Sequence, residues 1–219
     1  MAPMIRALVA AVGVLAGAAP QPPELRPDPI VVFETEKGAI EMEVDGVHAP
    51  ATAANFLKYV DAGFFNGGSV NRAVRPDNTV RHDVEIQVIQ FQIDSARRRE
   101  ERPPIPLERT SVTGLKHVDG AISMARSGPD TATASFSIVI GDQPEMNFGG
   151  RRNPDGQGFA AFGRVVRGMD VVRAIQASPT ARHGPYGSES LAPPIRILKA
   201  YRFTVSLSDW VLRSANLEP

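Results

Sequence analysis

The chain has 219 residues, 42% of them apolar and 22% charged, with Lys plus Arg equal to Asp plus Glu at 24 each. That length suits one domain, or one domain with appendages, and can bury a core without covalent staples. The balanced charge gives no case for nucleic acid or an anionic membrane as partner, and the absence of cysteine excludes disulfides, thiolate metal sites and a cysteine nucleophile.

Arg6 is the only charged side chain ahead of a run, residues 7–19, made wholly of Ala, Val, Leu and Gly. Ala16 and Ala18 then stand at the spacing a signal peptidase reads. A short positive start, a short apolar stretch and an A-x-A site describe a secretory signal peptide over 1–19. The run is too short for a comfortable membrane span. Residues 20–29 form a Pro-rich linker, and the folded domain is expected over 30–205. The protein is expected to be exported, periplasmic or secreted, with no membrane contact after cleavage.

From Ile30 the chain reads as short strands separated by Gly, Asn and Asp turns. Residues 30–34 and 39–44 flank Glu36-Lys37-Gly38, a hairpin signal. Pro50 opens a helix in which Ala53, Phe56, Leu57 and Val60 share one face, and Gly63 stops it. Residues 84–93 form a strand by alternation of Val84, Ile86, Val88 and Gln90, and strands follow at 121–125 and 136–140. Residues 159–166 are a further strand, 169–177 a second short helix, and 195–205 the closing strand. Many short strands, two helices and no regular βα alternation predict a mainly β, closed antiparallel sheet. Two segments read as loops: 97–104, dense in charge and proline, and 141–158, with five glycines. The tail, 206–219, carries Trp210 and is expected to pack on the barrel.

No G-x-S-x-G elbow, H-E-x-x-H, Walker loop or G-x-G-x-x-G occurs. His48, His82, His117 and His183 are scattered among polar segments, none at metal-ligand spacing, and each reads as a surface residue. No metal or cofactor is expected, and a hydrolase is disfavoured.

The remaining motifs are specific. Residues 50–56, PATAANF, fit P-x-T-x-x-N-F, and residues 63–67, GFFNG, are followed by Arg72. Val88-Ile89-Gln90 is a strand ending in glutamine, and residues 120–129, GAISMARSGP, match G-x-L-S-M-A-N-x-G-P. Residues 159–163 and Gly168-Met169-Asp170-Val171-Val172 match V-F-G-x-V-x-x-G-M-x-V-V. In this order, across nearly the whole chain after the linker, they resemble the cyclophilin-type peptidyl-prolyl cis–trans isomerases. The resemblance implies a closed eight-stranded antiparallel β-barrel capped by two α-helices. It also implies a monomer that takes proline-containing peptide segments of client proteins.

It further implies catalysis by Arg72, with Gln90 orienting it or binding the substrate carbonyl. Without the motif, a lone strand arginine would read as a solvated surface group. Turning an X–Pro amide breaks no covalent bond but must cross a barrier of about 18–20 kcal/mol. A fixed guanidinium that binds the twisted amide better than the planar one supplies the required preference. By the same resemblance Met124 and Ala125 form core and floor of the proline pocket, and the backbone at Arg126 holds an extended peptide. Phe136 is a further substrate-binding candidate by the same resemblance, or simple packing.

The departures lie in that pocket. Gln87 stands where an aromatic is expected, Ser135 replaces a glutamine, and Ser137 replaces a phenylalanine. Met146 falls at the position of a tryptophan, Phe159 at that of a histidine, Asn71 precedes the arginine, and Phe91-Gln92 replace two glycines. Phe91, Phe148 and Phe159 are the rings available to refill the space. A weak or altered isomerase with poor cyclosporin-type inhibitor binding is therefore expected. The alternative is a cyclophilin-fold chaperone that grips extended peptides without turning them.

Overall fold

The computed structural model describes residues 28–203. The expected leader (1–19) and tail (206–219) fall outside them. The strands are β1 (Ile30–Thr35), β2 (Gly38–Val44), β3 (Ser69–Val74), β4 (Val88–Gln92), β5 (Ala121–Met124), β6 (Phe136–Val139), β7 (Ala160–Arg167) and β8 (Ser190–Phe203). They close into a barrel in the order β1-β2-β7-β5-β6-β4-β3-β8, every pair antiparallel. The helices are α1 (Pro50–Asp61), a single turn α2 (Thr110–Thr113) and α3 (Met169–Gln176). Of these, α2 carries no periodic sequence signal.

Phenylalanines fill the barrel. Phe33, Phe56, Phe65, Phe91, Phe136 and Phe162 are all at most 1% exposed. Phe91 and Phe136 stack with centroids 4.6 Å apart, and Phe33 meets them edge-on at 5.6 and 5.4 Å. Each such ring contributes about 1.5–3 kcal/mol by burial alone, and the edge-to-face contacts add to it. Phe91, which stands in place of a glycine, therefore thickens the core rather than lining a pocket.

The N-terminus of α1 shows how distant residues complete a helix. Pro50 needs no N–H partner there, and Ala49 offers no side-chain cap. The Glu108 carboxylate supplies it, accepting from the Ala51 and Thr52 N–H groups at 3.0 and 2.8 Å. It meets two orphan donors and the positive helix end together. The hairpin β1–β2 turns at Gly38, whose φ of +133° excludes other residues and whose Cβ would stand 2.9 Å from Val171 Cγ2 on α3.

Three boundaries differ from the sequence reading. The strand expected over 84–93 begins only at Val88. Val84 and Ile86 are buried, but the Val84 carbonyl accepts from Arg152 Nη1 at 3.1 Å rather than from a neighbouring strand. Secondly, β8 starts at Ser190, well before Ile195. Pro193 and Pro194, which have no N–H to give, lie where β3 and β8 change register between Val70 and Arg72. Thirdly, the charged segment after β4 is not simply solvated. Residues Ser95–Glu100 form a 3₁₀ turn pinned by Arg97, whose guanidinium lies 3.7 Å from the Phe64 ring centroid. Arg97 also donates to the Ala62 carbonyl at 2.7 Å.

Candidate active site

A register shift in β3 decides where Arg72 points. Val70 and Ala73 both belong to the core inside the barrel, so Asn71 is the extra residue of a bulge and Arg72 faces outward. Plain alternation, which puts Val70, Arg72 and Val74 on one face, fails at this point. Arg72 pairs across the ladder with Gln90 on β4, and its Nη1 donates to Gln90 Oε1 at 3.1 Å.

The principal partner of Arg72 is a residue the sequence did not point to. Nε and Nη2 both donate to Glu189 Oε2, at 2.8 and 2.6 Å. Glu189 is only 1% exposed. Its other oxygen accepts from Thr79 Oγ1 and the Val80 N–H, each at 3.1 Å. The carboxylate is thus fixed from behind, and it fixes the guanidinium in turn. The Tyr186 ring lies 5.2 Å from the Arg72 guanidinium. Of the five N–H donors of a guanidinium, Glu189 and Gln90 take three, leaving two on the outer edge.

That edge borders a cleft of about 270 Å³. Of the candidate residues, Arg72, Gln90, Met124, Ala125, Arg126, Ser137, Met146 and Phe159 line it together. Ile86, Val88, Met124, Met146 and Phe159 supply apolar surface, and Gln90, Ser123 and Ser137 supply neutral polar groups. Arg81 and Arg152 also line it.

Three of the candidates lie elsewhere. Gln87 sits under α3, where its Oε1 accepts from Gln176 Nε2 at 3.4 Å. Ser135 donates to Gln92 Oε1 at 2.6 Å at the end of β4, beyond the cleft lining. Phe136 is wholly buried among the barrel phenylalanines. Phe136 lies off the cleft because β6 turns it inward, Gln87 because it packs towards α3, and Ser135 because it pairs with the far end of β4. Of the rings available to refill the pocket, only Phe159 reaches it. Phe91 is core, and Phe148 is 45% exposed away from the lining.

Arg126 does more than its backbone. Its Nη atoms form a two-pronged pair with Asp155, at 2.7 and 2.9 Å, and Nε donates to the Gly158 carbonyl at 2.7 Å. Its side chain is 1% exposed, and it lies over the Phe159 ring at 5.4 Å. These hydrogen bonds hold the Asp155 carboxyl well down, to about 2. They tie the glycine-rich loop to β5. At Gly158, with φ of +65°, a Cβ would collide with the Asn147 backbone at 2.5 Å, so the loop closes there only with glycine.

His117, expected at the surface, is 1% exposed, whereas His48, His82 and His183 are exposed. Its Nδ1 lies 2.8 Å from Asn147 Oδ1 and its Nε2 lies 2.8 Å from Ser123 Oγ. A neutral ring, donating at Nδ1 and accepting at Nε2, satisfies both. Burial lowers its pKa to about 4. It therefore works as a strut between the loop and the cleft residue Ser123. Among the described residues no three His, Asp or Glu side chains converge where a metal ion could sit.

This arrangement offers a clamped guanidinium beside a cleft lined in part by apolar side chains. Comparison with known proteins agrees. Residues 30–202 match the family model for cyclophilin type peptidyl-prolyl cis-trans isomerase/CLD. Peptidyl-prolyl cis-trans isomerase A of Dickeya dadantii is 34% identical over 157 residues, 71% of this chain and 75% of that protein. Peptidyl-prolyl cis-trans isomerase B of Escherichia coli is 33% identical over 160 residues, 71% and 88% of the two chains. A Cryptosporidium parvum cyclophilin-type isomerase, solved in the presence of the dipeptide Ala-Pro, superposes with a TM-score of 0.63 at 17% identity. That match covers 80% of this chain and 99% of the other. The chain belongs to the cyclophilin-type peptidyl-prolyl cis-trans isomerase family.

Proposed function

We propose that this protein accelerates rotation about X–Pro bonds in extended segments of exported proteins, with Arg72 as its catalytic residue. The observation that carries the reading is the clamp on Arg72. Glu189 and Gln90 hold the guanidinium while two N–H donors stay free at the edge of a cleft to which Met124, Met146 and Phe159 give apolar surface.

Rotation needs the amide nitrogen to give up conjugation with the carbonyl. At the twisted state the nitrogen is pyramidal and carries a lone pair that the planar amide lacks. A donor fixed beside it binds that state more strongly than the ground state. Because Glu189 and Gln90 have already ordered Arg72, little reorganisation is needed at the moment of reaction. The apolar surfaces of Met124, Met146 and Phe159 receive the proline ring and exclude water from the amide. Gln90 acts by positioning Arg72. The leader pattern at 1–19 supports an exported setting, hence clients that fold outside the cytoplasm.

The test is NMR exchange spectroscopy on an Ala-Pro-Phe peptide with the native protein and its Arg72→Ala form. Native acceleration that the variant loses by about 100-fold or more, with its fold intact by circular dichroism, is the expected result. Equal acceleration by both forms rejects Arg72 as the catalytic group. Binding without acceleration by the native protein makes it a peptide-gripping module instead.

A further inference from the structure

The cleft is unusually cationic for one that receives a neutral ring. Arg72, Arg81, Arg126 and Arg152 all line it, and no carboxylate does. Three of the four are matched from behind: Arg72 by Glu189, Arg126 by Asp155 and Arg81 by Asp83. Arg152 is the exception. It is 8% exposed, donates through Nη1 to the Val84 carbonyl, and among the described residues forms no salt bridge. Its own carbonyl accepts from Arg81 Nη1 at 2.6 Å, which joins the two. Burial, together with the neighbouring charges of Arg72 and Arg81, lowers its pKa, against a weaker opposing pull from the Glu189 and Asp83 carboxylates.

A buried charge with no carboxylate in direct contact is costly, and an incoming anion would relieve that cost. An apolar pocket for proline requires no such charge. We propose that the cleft selects proline segments with an anionic side chain next to the proline, held by Arg152 together with Arg81. The proposal rests on the isomerase reading and adds a substrate class to it. Carboxylate and phosphate share the required chemistry, since either can take a forked pair of bonds from a guanidinium.

The experiment uses the full chain and NMR exchange on a peptide series. Ala, Glu, Gln, Lys or phosphoserine stands beside the proline, on either side in turn. The Glu peptide is expected to turn over about 5- to 10-fold faster than its Gln counterpart, and the Lys peptide slowest. This difference should shrink to within about twofold at 1 M salt. Arg152→Gln, and separately Arg81→Gln, should bring the Glu-to-Gln ratio towards one. If Arg152→Gln does not fold, the Arg81 variant and the salt series decide. A gain for phosphoserine but not Glu identifies phosphate as the anion, and a gain for both identifies either anion. Equal rates for Glu, Gln, Lys and phosphoserine in the native protein overturn the proposal and leave the isomerase reading intact. If the Ala-Pro peptide is not turned over, the isomerase reading fails. The same charge ratio is then read from binding by chemical-shift titration, where equal affinities overturn the proposal.

Discussion

Replacing Glu189 by Gln tests whether Arg72 works because it is held. The change is nearly isosteric but removes a charge that is 1% exposed. The carboxylate faces only donors: Arg72 Nε and Nη2 on one oxygen, Thr79 Oγ1 and the Val80 N–H on the other. A glutamine amide has one acceptor end, so whichever way it turns, its NH₂ meets either the Arg72 fork or the Val80 N–H. Two ion-pair bonds from Arg72, each worth about 1.5–3 kcal/mol, become at best bonds from the still-charged guanidinium to a neutral amide oxygen, and the attraction between opposite charges is lost. A donor–donor conflict adds about 1–3 kcal/mol. The Arg72 side chain is 20% exposed, so water recovers part of the loss, and the expected destabilisation is about 2–3 kcal/mol. Urea denaturation reads that number. Turnover should fall about 10- to 100-fold, mainly in kcat, because a freed guanidinium must be ordered in the transition state. The Arg72 Nε proton resonance should move and broaden in step. A folded Glu189→Gln protein that isomerises at the native rate with an unshifted Nε resonance would refute the positioning role.

Two further outcomes follow from the same structure. Phe91→Ala removes a buried ring stacked on Phe136 and edge-on to Phe33 and should cost about 3–5 kcal/mol of stability in urea; a loss under about 1 kcal/mol would mean that Phe91 is not the core ring described. His117 makes stability fall in mild acid. Its folded pKa of about 4 lies below the ordinary value of 6.5, so between these pH values the unfolded chain takes a proton that the native one refuses. Stability is therefore undiminished above about pH 6.5, declines as pH drops towards 4, and loses up to about 3 kcal/mol there. Urea midpoints at pH 7, 5.5 and 4.5 check this, and a His117→Gln variant should show a flatter profile; an equal decline in both would assign the effect to other groups.

The closed antiparallel barrel and the order of its strands along the chain were legible in the sequence, the strands through alternation and α1 through its Pro-started face. Arg72 and Gln90 were singled out by motifs spread along the chain rather than by one local pattern. The limits of strands were less legible. Residues 84–87 alternate like a strand, but the Val84 carbonyl bonds a distant arginine, and the prolines of β8 sit at a register change that only its partner strand reveals.

Strands, helix faces and the motif residues that mark the family are written in the sequence, because each is a local pattern, but the β3 bulge sets where the Arg72 guanidinium points. The surroundings of that guanidinium were decided by tertiary structure alone. Glu189 comes from 117 residues along the chain to grip Arg72, His117 disappears beneath the glycine-rich loop, and Phe136 turns inward to the core. Burial and charge pairing depend on which distant segments meet once the barrel closes, and no local spacing encodes that meeting.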